Sequence, residues 1–322
     1  MNKTPLIGAI VGDIAGSRFE WLNCKSKGFT LLVGQHEGAE PCCFTDDTVM
    51  TLAIADAIMI WRGGGDNSYG ALSSCAIKSM QAFGRRYPNA GYGGSFIAWL
   101  QDKEPRPYNS WGNGAAMRVS ACGWAGNTLE EVKAMSRAVT EVTHNHPEGI
   151  RGAEATAVAT FLARSGKSMA DIRKVVVSNY YRLNFSLDEI RDSYKFDVSC
   201  QGSVPQALEA FFESTSFEDA IRNAISIGGD SDTICAICGA VAGAYYGVPE
   251  DICAKARTFL VPDLIETLDA FGHCIGEVRS GEHDSSNKKG SCDGRQVYEQ
   301  NQNSDESVLP AVLKVRNRRS HP

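Results

Sequence analysis

The sequence has no long run of basic residues, although 22% of its 322 residues are charged. Its 32 lysines and arginines are outnumbered by 38 aspartates and glutamates, so the formal net charge is −6. Proteins that bind nucleic acid or anionic membranes broadly do so through a continuous positive surface. We therefore expect no nucleic-acid or membrane partner, and an anionic ligand would need donors placed locally around it.

The sequence also lacks a secretory leader and an apolar run long enough to span a membrane. The first apolar stretch is broken by Asp13, and the run from Thr233 to Val248 falls short of about 18 residues. The eleven cysteines follow no regular framework, which is typical of reduced thiols in a core. Cys235 and Cys238 have no second pair at zinc spacing, which favours a structural role. These features predict a cytoplasmic protein, and we expect a monomer.

No segment shows the convincing alternation of apolar and polar residues that marks a β-strand. With 43% apolar residues, the chain is long enough to form a large core. Helical periodicity recurs along the chain, with glycine and proline between the periodic stretches. We predict helices at about 5–20, 46–61, 68–86, 92–101, 115–125, 128–143, 148–164, 168–180, 203–214, 216–227, 233–247, 249–259 and 261–273.

Two short acidic segments stand at the beginnings of predicted apolar helices. They are Gly228-Gly-Asp-Ser-Asp-Thr233 and Phe44-Thr-Asp-Asp-Thr48. A helix N-terminus favours carboxylates, and aspartate and threonine oxygens suit Mg²⁺ or Mn²⁺. Taken alone, such a segment is more often a helix cap. Together, however, the two segments supply four aspartates whose charges two divalent cations would balance, so we infer a two-metal centre.

The first predicted helix carries Gly8, Gly12 and Gly16 along one face. Glycine costs helix stability, so a repeated glycine indicates a close helix contact. The same four-residue spacing returns at Gly239, Gly243 and Gly247, after the second acidic segment. We infer that these two helices pack together, which would bring Asp13 and Glu20 within reach of Asp230 and Asp232.

The loop at residues 105–114 has the composition of a nucleotide-binding loop. Gly112 and Gly114 would present backbone N–H groups to a phosphate, and Trp111 offers a flat face for a base. A surface turn with a core tryptophan explains the same residues. His144 and His146 form a His-x-His pair without a third ligand nearby, which favours a structural or ligand-contacting role over metal binding.

The chain changes character after about Gly276, where serine, asparagine, lysine, glutamate and glutamine dominate and apolar periodicity ends. Such a segment cannot bury enough apolar surface to fold by itself. We therefore predict one domain over residues 1–275 and a disordered tail over residues 276–322.

Five motifs occur in order along residues 5–273: Gly12-Asp-x-x-Gly16-x-x-x-Glu20, Phe44-Thr-Asp-Asp-Thr48, Trp111-Gly-Asn-Gly-x-x-Met-Arg118, Thr143-His144 and Gly228-Gly-Asp-Ser-Asp-Thr233. In this combination they resemble the ADP-ribosylglycohydrolases, which include the dinitrogenase reductase-activating glycohydrolases. The ordered set is far more specific than any single motif. The resemblance implies a compact, all-α, single-domain fold with a binuclear Mg²⁺ or Mn²⁺ site.

The resemblance also assigns individual residues by motif match. It implies that the metal ligands are Thr45, Asp46, Asp47, Asp230, Asp232 and Thr233. It places Glu20 beside the scissile bond, with Asp47 and Asp232 as the other candidate catalytic residues. It places the diphosphate and adenosine side at Ser110, Trp111, Gly112, Asn113, Gly114 and His144. Asn109 stands where some relatives have glycine, and no second aromatic matches the other face of the adenine.

The implied activity is metal-dependent hydrolysis of the glycosidic bond between ADP-ribose and an acceptor. We expect reversal of mono-ADP-ribosylation on a protein or a small-molecule conjugate, with an arginine-type acceptor preferred. An inactive ADP-ribose-binding or structural protein on the same fold is the alternative, and the complete ligand set with Glu20 argues against it. A two-metal phosphohydrolase of another family would usually carry histidine ligands, which accompany neither aspartate pair.

Overall fold

The computed structural model describes residues 3–281. Within that range the backbone is helical and irregular, with one isolated antiparallel bridge between Gly112 and Ser199 and no strand. This confirms the all-α class. The helices of the described residues are α1 (Ile7–Gly16), α2 (Asp46–Gly63), α3 (Tyr69–Arg86), α4 (Gly94–Gln101), α5 (Gly114–Met117), α6 (Ser120–Ala125), α7 (Leu129–Thr140), α8 (Pro147–Arg164), α9 (Met169–Asn179), α10 (Leu187–Ile190), α11 (Cys200–Phe212), α12 (Phe217–Ile225), α13 (Ser231–Tyr246), α14 (Glu250–Arg257) and α15 (Pro262–Gly281).

The helices near Glu20, Arg118 and Leu187 differ from the expectation. The first helix ends at Gly16, because Ser17 Oγ donates back to the carbonyl of Ile14 and the chain enters a turn, which leaves Glu20 outside the helix. The helix expected over residues 115–125 is divided into α5 and α6. The four-residue α10 was not expected, since it is too short to show apolar periodicity and is recognised only by its capping box.

The C-terminal end of the domain also differs from the expectation. The last helix continues to Gly281 rather than ending at 273, so the predicted tail begins inside α15. Residues 282–322, which make up the rest of the predicted tail, lie outside the described residues. No helix in the described part of the chain is both long enough and apolar enough to cross a membrane.

Helix α13 lies at the centre of the fold, where it packs against α1, α8, α11 and α12. Its most extensive contact is with α1, and both helices are buried almost throughout. A Cβ atom added at Gly8 would lie 2.3 Å from the carbonyl oxygen of Gly239, and one added at Gly12 would lie 2.0 Å from that of Cys235. The two backbones therefore touch, as the glycine spacing predicts.

The glycine match is not one to one along the whole contact. Gly16 faces the backbone of Ser231 and Asp232 at the beginning of α13, where an added Cβ would lie 2.4 Å from the Ser231 oxygen. Gly247 follows the last residue of α13 as its C-cap, with φ of 77°. The close approach therefore extends to the acidic end of α13.

We expect Gly12→Ala to lower the free energy of unfolding by at least about 3 kcal/mol, since the added methyl group would overlap a backbone carbonyl of α13. Gly272→Ala is the matched control. Gly272 also lies within a helix, but apart from the backbone of that helix and the adjoining residues nothing lies within 4 Å of the added Cβ, so the stability of this variant should be equal or up to about 1 kcal/mol higher. Urea denaturation of both variants measures the difference, and equal midpoints would contradict the α1–α13 contact.

Candidate metal centre and active site

Two groups of carboxylates meet where α1, α2 and α13 converge. Oxygen atoms of Asp13, Asp47 and Asp232 lie within 4.8 Å of one another, and the same is true of Glu20, Asp230 and Asp232. Asp232 belongs to both groups. The two acidic segments thus form one centre, although 186 positions of the sequence separate Asp47 from Thr233.

The loop before α13 turns sharply and depends on two consecutive glycines. Gly228 and Gly229 have φ of 70° and 79°, in the left-handed region that favours glycine. A Cβ at Gly228 would also lie 2.2 Å from Asn23 Oδ1. This turn delivers Asp230 to the N-cap position of α13.

Asp13 caps the beginning of α2 from the neighbouring helix. Its Oδ2 accepts hydrogen bonds from the backbone N–H groups of Thr45 and Thr48 at 2.9 and 3.0 Å, and also from the Thr48 hydroxyl. Its Oδ1 accepts from Thr45 Oγ1 at 2.6 Å. These contacts hold the first turn of α2 against α1, and Asp47 follows directly within that turn.

Asp47 is buried and incompletely hydrogen-bonded. Its Oδ2 accepts from Thr233 Oγ1 at 3.2 Å and from Thr45 Oγ1 at 3.4 Å. Its Oδ1 is buried without a hydrogen-bond partner. A buried carboxylate oxygen without a donor is costly unless another positive group faces it. This orphaned oxygen, set among acidic side chains, fits a cation better than it fits a purely structural role.

Burial and mutual repulsion dominate the electrostatics of the centre. Burial, followed by the charge of Asp232, raises the pKa of Asp13 to about 7, against the hydrogen bonds from Thr45 and Thr48. The pKa of Asp47 rises well above 3.8 because of burial and then the charge of Asp13. Burial and then Asp232 raise the pKa of Asp230 in the same way. Without a cation, the carboxyl groups of the centre are therefore more easily protonated than ordinary aspartates. A metal ion could balance the same negative charges in place of these protons.

The structure separates Asp46 from the other predicted ligands. Asp46 is the first residue of α2 and is half-buried, and its backbone N–H donates to the carbonyl of Ala90 at 2.9 Å. Its carboxylate belongs to neither acidic group among the described residues, although its charge still raises the pKa of Asp47. The hydroxyls of Thr45 and Thr233, in contrast, both reach Asp47. Asp46 as a ligand stays a prediction.

The loop that carries Ser110, Trp111 and Gly112 is joined to the acidic centre through Asn113. The Asn113 amide nitrogen donates to Asp230 Oδ2 at 2.6 Å and to Ser203 Oγ at 3.0 Å. The sequence gives no spacing signal for this contact, because 117 residues separate Asn113 from Asp230. The candidate ligand-binding loop and the carboxylates are therefore parts of one site.

Two backbone N–H groups of this loop donate to acceptors within the protein. The N–H of Gly112 donates to Ser110 Oγ at 3.1 Å, and that of Asn113 donates to the carbonyl of Val198 at 2.7 Å. Both N–H groups therefore have acceptors within the protein, and the role of the Gly112 N–H as a phosphate donor stays a prediction. Asn109, where some relatives have glycine, adopts φ of 55°, and asparagine tolerates that conformation better than most residues.

His144 lies beneath the loop in a fixed orientation. Its Nδ1 is 2.7 Å from Thr143 Oγ1 and 3.3 Å from an amino nitrogen of Arg118. A guanidinium has only donors, so Nδ1 accepts and the ring hydrogen lies on Nε2. Cβ atoms built at Gly112 and Gly114 would lie 3.5 and 3.4 Å from Nε2, which places this donor against the loop.

Arg118 is an unusual neighbour for His144, because this charged side chain is only 1% exposed. Its second hydrogen bond is to Thr143 Oγ1 at 2.5 Å, and its guanidinium lies 5.4 Å from the Phe96 ring centre. Burial lowers the pKa of Arg118 to about 10, so it is charged at neutral pH. Burial, followed by this charge, lowers the pKa of His144 well below 6.5.

Sequence reasoning missed an aromatic pair at the edge of the site. The rings of Trp21 and Phe196 stack with centres 4.9 Å apart. Both line a cavity of about 340 Å³ together with Glu20 and Gly229. Trp21 directly follows Glu20 and was recognisable from that position, whereas Phe196 lies in an irregular segment without a motif.

A family model described as ADP-ribosylglycohydrolase matches residues 5–278. The chain therefore belongs to the ADP-ribosylglycohydrolase family of hydrolases, as the ordered motifs predict. The solved structure of an ADP-ribosylglycohydrolase-related protein complex is similar, with a TM-score of 0.60 over 85% of this chain and 95% of that chain. Its 21% identity supports the shared fold alone.

Curated relatives include hydrolases of ADP-ribose conjugates. The chain is 26% identical to ADP-ribosylhydrolase ARH3 of Homo sapiens, over 76% of this chain and 85% of the relative. It is 27% identical to ADP-ribosylarginine hydrolase Tri1 of Pseudomonas putida (strain GB-1), over 76% of this chain and 70% of the relative.

When divalent cations have been removed, we expect the stability of the protein to fall as the pH rises. Asp13, Asp47 and Asp230 have folded-state pKa values above the ordinary 3.8, so the folded protein holds protons that the unfolded chain has released. Stability is therefore present at low pH and is lost as the pH rises through the folded pKa values. In EDTA the melting temperature should fall by at least about 5 °C between pH 5.5 and 8. A level or rising melting temperature would contradict this.

We expect His144 to stay neutral, with its hydrogen on Nε2, between pH 6 and 8. Long-range ¹⁵N–¹H correlation spectra of the imidazole rings report both properties, and His144→Gln identifies the signal. The groups that face the ring are the Arg118 guanidinium and the Tyr108 phenol, whose ring centre is 5.7 Å away. A His144 signal that titrates within this range, or carries its hydrogen on Nδ1, would contradict the hydrogen-bond assignment.

Proposed function

We propose that the protein is a metal-dependent ADP-ribosyl hydrolase, which cleaves the glycosidic bond between ADP-ribose and an acceptor and so reverses mono-ADP-ribosylation. The observation that carries this proposal is the pair of acidic groups sharing Asp232, beside the unpartnered Asp47 Oδ1. A purely structural cluster would have no need for a buried carboxylate oxygen without a donor. Family membership supplies the reaction class.

The proposed metal ligands are Asp47, Asp230 and Asp232 with the hydroxyls of Thr45 and Thr233, and Asp46 as a further candidate. Two groups that share one carboxylate suit two cations, for which we propose Mg²⁺ or Mn²⁺ because all the donors are oxygen atoms. Bound there, the cations would orient the hydroxyls of the distal ribose and lower the pKa of a water molecule. Asp13 makes four hydrogen bonds to Thr45 and Thr48, which suits positioning rather than direct coordination.

Glu20 is the proposed catalytic residue beside the scissile bond. It lies within 4.8 Å of Asp230 and Asp232 and also lines the adjoining cavity. Cleavage at an anomeric carbon develops positive charge, which a nearby carboxylate stabilises. Asp47 or Asp232 would accept the proton of the attacking water. Without metal, burial raises the pKa of Asp47, and a cation would restore its carboxylate as a base.

The diphosphate and adenosine would lie along Ser110 to Gly114. The 50% exposed Trp111 offers a ring face for adenine, and the Nε2–H of His144 offers a hydrogen-bond donor beneath the loop. Because Asn113 bonds to Asp230, a ligand on this loop would extend directly toward the carboxylates. We prefer an arginine-linked acceptor, which agrees with the name of the Pseudomonas putida relative.

An acceptor panel tests the proposed function. ADP-ribosyl-arginine, an ADP-ribosyl-serine peptide, O-acetyl-ADP-ribose and poly(ADP-ribose) would each be incubated with the protein in Mg²⁺ and in EDTA. We expect release of free ADP-ribose in Mg²⁺ alone, and fastest from the arginine conjugate. Tight binding of ADP-ribose without release from any conjugate would instead support the alternative, an inactive ADP-ribose-binding protein.

We expect Glu20→Gln to lower kcat by about 10²-fold or more, with little change in KM or in ADP-ribose affinity, because the glutamate acts on developing charge. Glu130→Gln, an exposed glutamate in the first turn of α7, is the control and should leave kcat unchanged. Steady-state kinetics across Mg²⁺ concentrations, with calorimetric titration of ADP-ribose, measures both effects. If Glu20 held the metals instead, ADP-ribose affinity would fall and added Mg²⁺ would restore it.

A further inference from the structure

Trp21 and Phe196 are large aromatic side chains that are exposed to solvent rather than packed in the core. Trp21 is 62% exposed and Phe196 is 42% exposed, although both are large enough to anchor a core. They stack on each other with an angle of 19° between the rings. Each ring therefore shields only part of the other, and an aromatic surface remains open to solvent.

The exposed apolar side chains are concentrated around the candidate active site. Eight large apolar residues are exposed in the described part of the chain, and five of them lie on segments that border the site. A concentration of this kind marks a surface that another molecule covers. The five are Trp21, Leu22, Trp111, Phe196 and Val198.

The aromatic pair lies beside the reacting centre but outside its carboxylates. The cavity of about 340 Å³ that the two rings line is also bordered by Glu20, Asn23, Lys195 and Gly229. Gly229 immediately precedes Asp230. A group attached at the scissile bond near Glu20 would therefore leave the centre across Trp21 and Phe196.

The segment that presents Phe196 is held in place on both sides. The hydroxyl of Tyr194 donates to the carbonyl of Gly202 at 2.6 Å, and Lys25 Nζ donates to the Tyr194 carbonyl at 2.8 Å. After Phe196, the bridge between Ser199 and Gly112 joins the segment to the candidate ligand loop. The surface is thus preorganised, which lowers the entropic cost of docking a partner.

We propose that Trp21 and Phe196 form a docking surface for the polypeptide of an ADP-ribosylated protein. The inference rests on the proposed function and extends it, because it makes a modified protein the preferred substrate over a small conjugate. A free amino acid or an acetyl group is too small to cover both rings, whereas residues flanking a modified side chain supply apolar surface. The Glu20 carboxylate and the Lys195 ammonium at the same cavity suit the mixed polarity of a peptide backbone and side chains.

The test compares two substrates that differ in the polypeptide alone. One is a protein mono-ADP-ribosylated on arginine, and the other is free ADP-ribosyl-arginine. In Trp21→Ser, Phe196→Ser and the double variant we expect kcat/KM for the modified protein to fall about tenfold or more. The value for ADP-ribosyl-arginine, and the affinity for ADP-ribose, should change less than twofold. The small substrate also controls for any shift of Glu20 caused by changing its neighbour.

Ile97→Ser and Val177→Ser are matched controls. These side chains are 40% and 42% exposed, comparable to Phe196, but lie in α4 and α9 away from the cavity. Neither change should alter kcat/KM for either substrate. Equal losses on both substrates in the aromatic variants, or no loss on the modified protein, would overturn the docking surface.

Binding measurements separate this proposal from the proposed function. If the wild-type chain hydrolyses neither substrate, the proposed function is wrong, and the affinity for the modified protein still decides the docking surface. Binding that is about tenfold weaker in the double variant, with unchanged affinity for ADP-ribose, supports the surface. Equal binding of the modified protein by wild type and the double variant overturns it.

Discussion

The backbone contact between α1 and α13 is the constraint on which the rest of the structure depends. At Gly12 an added Cβ atom would lie 2.0 Å from a carbonyl oxygen of α13, so the two helix backbones are in direct contact. This approach continues through Gly16 to the first residues of α13, where the acidic segment begins. It therefore determines that Asp13 and Asp232, one from each helix, come within 4.8 Å of each other.

The contact between these helices concentrates negative charge in a buried place. The carboxylates there differ in how their charge is balanced. Asp13 is satisfied by the first turn of α2, which its hydrogen bonds also hold in position. Asp47 Oδ1 receives no such donor, which under the proposed function leaves this oxygen for a cation. Helix capping and the proposed cation binding thus fall on different carboxylates of one cluster, and a pattern of aspartates along the chain does not separate the two roles.

Much of the fold was predictable, because glycine spacing and apolar periodicity report local geometry. The α1–α13 contact follows from the glycine spacing, and the meeting of the two acidic segments follows from their paired aspartates at predicted helix beginnings. What escaped prediction depends on tertiary contacts between distant residues. The Gly112 N–H is taken by Ser110, Asn113 reaches Asp230 across 117 residues, and Phe196 meets Trp21 from an irregular segment. The splitting of the helix after Gly114 around the buried Arg118 belongs to the same class.

The most direct test of the account is the number of divalent cations that the buried carboxylates hold. Elemental mass spectrometry of the protein, dialysed after saturation with Mn²⁺, gives this number per chain. The account predicts two equivalents in wild type and fewer than one in Asp232→Asn, with the exposed Asp66→Asn variant retaining two. Two equivalents in Asp232→Asn, or none in wild type, would contradict the claim that this shared carboxylate is the centre of a binuclear site.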